Sequence, residues 1–145
     1  MKKITPFLWF DGNIEQVVDF YTTVFPNAHV VSMNPVTAAF VIEGQEFIAL
    51  NGGPQFKFNE AVSFFIRCET QSEIDYFWQH LTADGGVESQ CGWLKDKFGL
   101  SWQVVPSLLG EYLGSPDRAR AQRVMQAMLK MTKLDIAALE VAYEG

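Results

Sequence analysis

The chain has 145 residues, 48% of them hydrophobic and 14% aromatic, with a net charge of −6 and a pI near 4.8. That length predicts one domain, or two half-size modules sharing a core, and the acidity argues against nucleic acid, whose phosphates need clustered Lys and Arg. No apolar run reaches the roughly 20 residues of a membrane-spanning helix, and Met1-Lys2-Lys3-Ile4-Thr5-Pro6 has no small-residue cleavage site of a secretory leader.

Residues 4–10 form a near-continuous apolar run, expected as a strand buried on both faces. Asp11-Gly12 ends it, and Asn13 with Gln16 makes a capping pair. Ile14, Val17, Val18, Tyr21, Val24 and Phe25 then recur at helical spacing until Pro26-Asn27 stops the helix. Three short strands follow, at 30–34, 37–43 and 46–51, the last two joined around Gly44-Gln45 as a hairpin. Gly52-Gly53-Pro54 breaks the sheet and a connector runs to Glu60.

The pattern then starts again. A strand at 62–68 leads to a second cap, Thr70 with Glu73, and to Ile74, Phe77, Trp78 and Leu81 on one helical face. Asp84-Gly85-Gly86 closes that helix, residues 87–93 read as a strand, Asp96-Lys97-Phe98-Gly99 as a turn, and 100–105 as the last strand. The tail departs from the repeat. Residues 107–113 look helical, and Ser115 caps a helix with Pro116 at its first position. Ala121, Val124, Met125, Met128 and Leu129 make one apolar stripe, read as core or subunit contact. Asp135 opens a final helix through Ile136, Leu139 and Tyr143, while Arg118, Arg120, Arg123, Lys130 and Lys133 form a solvated basic face.

The two caps lie 57 residues apart (70 − 13), as do Pro6 and Ser63 (63 − 6). Neither half covers its own sheet, so the two are expected to pair into one curved mixed sheet with a cleft. The expected fold is α+β: a first βαβββ module at 1–57, a second at 58–106, and a helical extension at 107–145. Two cysteines, Cys68 and Cys91, are too few for a disulfide framework; reduced thiols and a cytoplasmic location are expected.

Several motifs, in order, resemble the PhnB-like family of the vicinal oxygen chelate (glyoxalase, bleomycin resistance and dioxygenase) superfamily. They are Pro6-Phe7-Leu8-Trp9-Phe10-Asp11-Gly12-Asn13 with Asp19-Phe20-Tyr21 and Phe25-Pro26-Asn27; Leu50-Asn51-Gly52-Gly53-Pro54; Cys91-Gly92-Trp93; and residues 96–103. The resemblance implies paired βαβββ modules, a cup-shaped sheet and a homodimer. Many such proteins are labelled 3-demethylubiquinone 3-methyltransferase, yet Gly52-Gly53 runs into Pro54 and a loop, not into a helix that could hold S-adenosylmethionine.

Metal-dependent members of that superfamily take four ligands from four strands. The resemblance places these at Pro6, Ala49, Ser63 and Gln103, a set that implies no metal and no cofactor. His29 and His80 read as surface residues. Strand alternation puts Leu8, Phe10, Phe47, Asn51, Phe65, Arg67, Ser101 and Val105 on the cleft side with those four, and Phe7, Trp9, Phe64, Ile66 and Trp102 against the helices. The candidate ligand-binding residues are therefore Ser63, Gln103, Asn51, Phe65, Arg67, Trp93 and Ser101. Four also have a plainer reading: Ser63 and Gln103 satisfying each other, Arg67 solvated, Trp93 in the core. Cys91 lacks a neighbouring base and reads as an inert thiol rather than a nucleophile. The expected function is metal-free binding of a small, aromatic molecule, with a cationic guest suited to the acidic chain. The alternatives are an enzyme of the same superfamily and a dimeric interaction protein.

Overall fold

A computed structural model describes residues 2–145. Eight strands and five α-helices follow in two units, Met1–Phe58 and Asn59–Gly145. In the first unit, β1 (Phe7–Phe10) leads to α1 (Ile14–Val24), then β2 (Ala28–Met33), β3 (Thr37–Ile42) and β4 (Gln45–Asn51). The sheet order is β1-β4-β3-β2, with β1 parallel to β4 and the other pairs antiparallel. In the second unit, β5 (Ser63–Cys68), α2 (Gln71–Thr82), β6 (Val87–Glu88), β7 (Trp93–Lys95) and β8 (Ser101–Pro106) repeat that topology as β5-β8-β7-β6. The fold is the expected α+β pair of βαβββ modules followed by helices.

In each module the helix forms because its start is capped and one face is apolar. Asn13 accepts from the Glu15 N–H at 2.8 Å, and Thr70 from Glu73 N–H at 3.2 Å. Glu73 reaches back to the Glu69 N–H at 2.7 Å. Ile14, Val17, Val18, Tyr21 and Val24 are buried on α1, and Ile74, Phe77, Trp78 and Leu81 on α2, as the spacing predicts. Burying each such large side chain contributes about 1.5–3 kcal/mol. Phe25, held extended by the following Pro26, ends α1. Tyr21 stacks on Phe40 (6.1 Å between centroids), and Phe40 on Phe47 (5.5 Å), so this row carries the helix onto the sheet.

Several boundaries differ from the sequence reading. β1 starts at Phe7 rather than residue 4, because Pro6 has no N–H to donate; its carbonyl still accepts from Ile48 at 3.0 Å. The β3–β4 turn is Glu43-Gly44 (φ +50° and +78°), one residue earlier than expected. The single strand expected at 87–93 is two: the chain reverses through Cys91-Gly92 (φ +59° and +85°), and Val87–Glu88 pairs with Leu94–Lys95.

The extension forms α3 (Ser107–Leu113), α4 (Arg118–Leu129) and α5 (Ile136–Glu144). The cap of α4 is Asp117, accepting from Arg120 N–H, and not Ser115. The Ser115 hydroxyl instead accepts from the Asp117 N–H. The apolar stripe of α4 divides: Ala121 and Val124 are buried, while Met125 and Leu129 are 37% and 58% exposed. Val105, Leu109, Val124, Leu134 and Leu139 form the core that seats the extension on the second module. Gln71 of α2 adds two long-range bonds, donating to the Leu134 carbonyl (3.0 Å) and accepting from Ile136 N–H (2.8 Å).

Candidate functional site

Strand register determines which side chains share the open face of the second sheet. Ser63 pairs with Ser101, Phe65 with Gln103 and Arg67 with Val105, while Trp93 pairs with Gln103 and Lys95 with Ser101. Three rows result: Ser63, Ser101 and Lys95; Phe65, Gln103 and Trp93; Arg67 and Val105. The intervening residues Cys68, Trp102 and Val104 are buried on the helix side, so the sequence reading of this face is right.

Gln103 Nε2 donates to Ser63 Oγ at 3.0 Å. The Ser101 hydroxyl, on a residue only 1% exposed, has no hydrogen-bond partner among the described residues. Lys95 forms an ion pair with Glu60, and this contact holds the Glu60 carboxyl below its ordinary value. Arg67 lies over the Phe65 ring, 5.9 Å from its centroid, and Phe65 is 53% exposed. Val105 is covered by the extension. Lys95 and Glu60 were not among the sequence candidates. The alternation Trp93-Leu94-Lys95 carried the signal, but reading 87–93 as one strand ended the face too early.

The first module does not follow the expected parity. Leu8, Phe10, Phe47 and Ala49 are all buried on the α1 side, with the Phe10 ring 6.2 Å from Tyr21, whereas Phe7 is 55% exposed and Trp9 half-buried on the other face. The cause is one residue of spacing. From the first residue of the strand to the cap the chain advances six residues in the first module, Phe7 to Asn13, and seven in the second, Ser63 to Thr70. Gly12, at φ +128°, turns the chain within the shorter link. A shift of one residue exchanges the faces of a strand. The strands therefore repeat at 56 (63 − 7) while the caps repeat at 57. By register, the counterparts of Ser63 and Gln103 in the first module are Phe7 and Leu50, not Pro6 and Ala49.

Asn51 accordingly stands apart from the other candidates. It lines an open groove of about 690 Å³ at the start of α1, with residues 12–15 and 33–35. Ser63, Phe65, Arg67, Trp93, Ser101 and Gln103 do share one face of the second module.

The thiols differ sharply. Cys68 is fully buried, and burial, with Glu73 and Glu69 adding to it, pushes the thiol up to about 12. Cys91 is half-buried and free, and its N–H donates to the Met131 carbonyl at 2.8 Å, as Gly92 does to Thr132. Among the described residues no three His, Cys, Asp or Glu side chains come together where they could hold a metal ion, and no helix is long and apolar enough to cross a membrane.

Residues 2–105 match the family model described as 3-demethylubiquinone-9 3-methyltransferase. Among solved structures the chain is similar to a PhnB protein from Bacillus cereus, at 32% identity and a TM-score of 0.68, covering 73% of this chain and all of that one. It shares its fold with the fosfomycin resistance protein FosX from Listeria monocytogenes, solved with Mn(II) and sulfate (15% identity, TM-score 0.59, 78% and 97% coverage). The same holds for a glyoxalase-related enzyme from Fulvimarina pelagi (11% identity, TM-score 0.53, 74% and 91% coverage). No curated protein matches the chain.

Proposed function

The chain belongs to the family described as 3-demethylubiquinone-9 3-methyltransferase, the PhnB-like family of the vicinal oxygen chelate superfamily, and from that premise we propose that it is a small-molecule-binding protein whose site holds no metal. The observation that carries this reading is the hydrogen bond from Gln103 to Ser63. A divalent ion of the superfamily type would need ligating side chains at the two register positions of each module. Phe7 and Leu50 have no ligating atom, and the second module offers a hydroxyl and an amide, weak donors already engaged with each other. The donor set does not fit such an ion, so no chemistry is assigned through one.

What this face offers is an exposed aromatic ring, a half-buried indole and a few polar groups, the usual make-up of a surface that binds small organic molecules. Methyl transfer from S-adenosylmethionine has no support in the fold: Gly52-Gly53 leads through Pro54 and coil to β5, not to a helix N-terminus. Elemental analysis of the purified protein is expected to find only substoichiometric Zn, Ni, Fe and Mn, and a stoichiometric, tightly held ion would end the metal-free reading. A thermal-shift screen of small aromatic compounds is expected to yield stabilisers; a broad screen with none would end the binding reading.

The second reading, a cytoplasmic homodimer that associates through its extension, is favoured by the exposed Met125, Leu129 and Val141 (37, 58 and 70%) on α4 and α5. Light scattering on the Leu129→Glu protein tests it, and an unchanged mass would remove the support.

A further inference from the structure

We propose that the guest of the second module's open face is an aromatic anion, its ring over the Gln103 amide and its carboxylate on Arg67. This rests on the small-molecule reading above and names the chemistry of the molecule bound.

The groups left over on this face after internal bonding include donors beside the Gln103 carbonyl oxygen. Ser63 Oγ accepts from Gln103, so its own proton is available, and Gln103 Nε2 keeps a second hydrogen. The Ser101 hydroxyl is buried without a partner among the described residues. Of the carboxylates nearby, Glu60 is paired with Lys95, and Glu69 accepts from the Ser107 hydroxyl at 2.7 Å. Arg67, in contrast, forms no ion pair among the described residues; its recorded contact is the Phe65 ring. A guanidinium without an ion pair, beside the Ser63 and Gln103 donors, favours an acceptor-rich, negatively charged guest.

The net charge of −6 does not reverse this. Charges beyond about 8–10 Å are screened at ordinary salt, so the local groups set the sign.

Spacing supports an aromatic body for the guest. Phe65, Gln103 and Trp93 sit side by side on β5, β8 and β7. With strands about 4.8 Å apart, the two aromatic residues stand roughly 10 Å from each other with the amide between them, which is room for one planar ring system. Arg67 is two residues further along β5, about 7 Å, where a substituent on that ring meets a guanidinium. Beyond it the Val105 core of the extension closes the row.

The test uses the full chain and three probes of one shape: 1-naphthoate, neutral 1-naphthamide and cationic 1-naphthylmethylammonium. Binding is followed by tryptophan fluorescence and by thermal shift. Naphthoate is expected to bind tightest, about three- to tenfold better than the amide at low salt, with the gap closing as salt rises. Arg67→Gln should abolish that preference by weakening naphthoate more than naphthamide, and Arg67→Lys should restore part of it. Because Arg67 is exposed, these variants are expected to fold, and their melting curves check that. Equal binding of the three probes, tighter binding of the ammonium, or an Arg67→Gln protein with its preference intact would overturn the proposal. If Phe65→Ala still weakens all three probes in that case, the binding reading stands and the anion assignment alone falls. If no probe binds, or Phe65→Ala and Gln103→Ala change nothing, both fall.

Discussion

Gly52 shows how one atom can fix a local structure. A Cβ built there would lie 2.3 Å from Trp9 Cε2, inside the ring's own volume. The indole occupies this position because its Nε1 donates to the Gly53 carbonyl at 2.9 Å and its ring meets Phe56 edge-on at 4.9 Å. Gly52→Ala should therefore displace Trp9, cost about 1–3 kcal/mol in urea unfolding, and shift the tryptophan emission. Cys68 gives a second prediction at this scale. Its thiol ionises near 9.0 in the unfolded chain and about 12 in the fold. Folding thus favours the protonated form, and the associated stability is complete below pH 9 and is lost as pH rises from there towards 12. Cys68→Ala should flatten this alkaline loss. In the native wild type, a thiol reagent at pH 8 should label Cys91 first and reach Cys68 only on unfolding.

At the scale of elements, the helices of the repeat were the most legible part of the sequence. Their caps and apolar spacing are local signals that need no knowledge of the partner strand, and Asn13, Thr70, Ile74 and Leu81 all act as read. Elements defined by hydrogen bonds to distant residues were less legible. Ser115-Pro116 has every local mark of a helix start, yet Asp117 takes the cap, and Ser115 is buried with its hydroxyl 3.1 Å from that of Tyr143, a partner 28 residues away. The β6–β7 reversal was likewise hidden, since the N–H groups of Cys91 and Gly92 are satisfied by Met131 and Thr132. Gln71 is the clearest such link: one amide ties the start of α2 to the entry of α5. Gln71→Ala should leave the second sheet intact and speed amide hydrogen exchange in α5 about tenfold, through loss of roughly 1–2 kcal/mol of docking.

For the whole molecule, the internal repeat made the fold readable, and an unequal spacing within it exchanged the faces of the first module's strands. A single offset of 57 carried the helices across correctly and put the wrong face of β1 and β4 forward. Nothing in the apolar run Pro6 to Phe10 marks its inner face, because both of its faces are apolar. The shared face of the second module was legible because Ser63, Arg67, Ser101 and Gln103 break the apolar pattern themselves. The extension lies beyond the family match, which ends at residue 105, and the Bacillus cereus PhnB chain is covered in full by 73% of this one. It is nonetheless built into the core through Val105. A chain ended after Pro106 is expected to melt several degrees lower, since Val105 loses its cover and Cys91 and Gly92 lose their acceptors; an unchanged melting temperature would mark the extension as an appendage.

The one-residue difference between the two strand-to-cap spacings also limits how the halves can exchange parts. A strand carries its inward side chains at odd or even positions, and the turn behind it is cut to match. Replacing strand, turn and cap together keeps that match. A crossover inside the turn would join one half's parity to the other half's spacing and drive its aromatic rings out into water. The two modules are in this way separate parts, each interchangeable only as a complete piece.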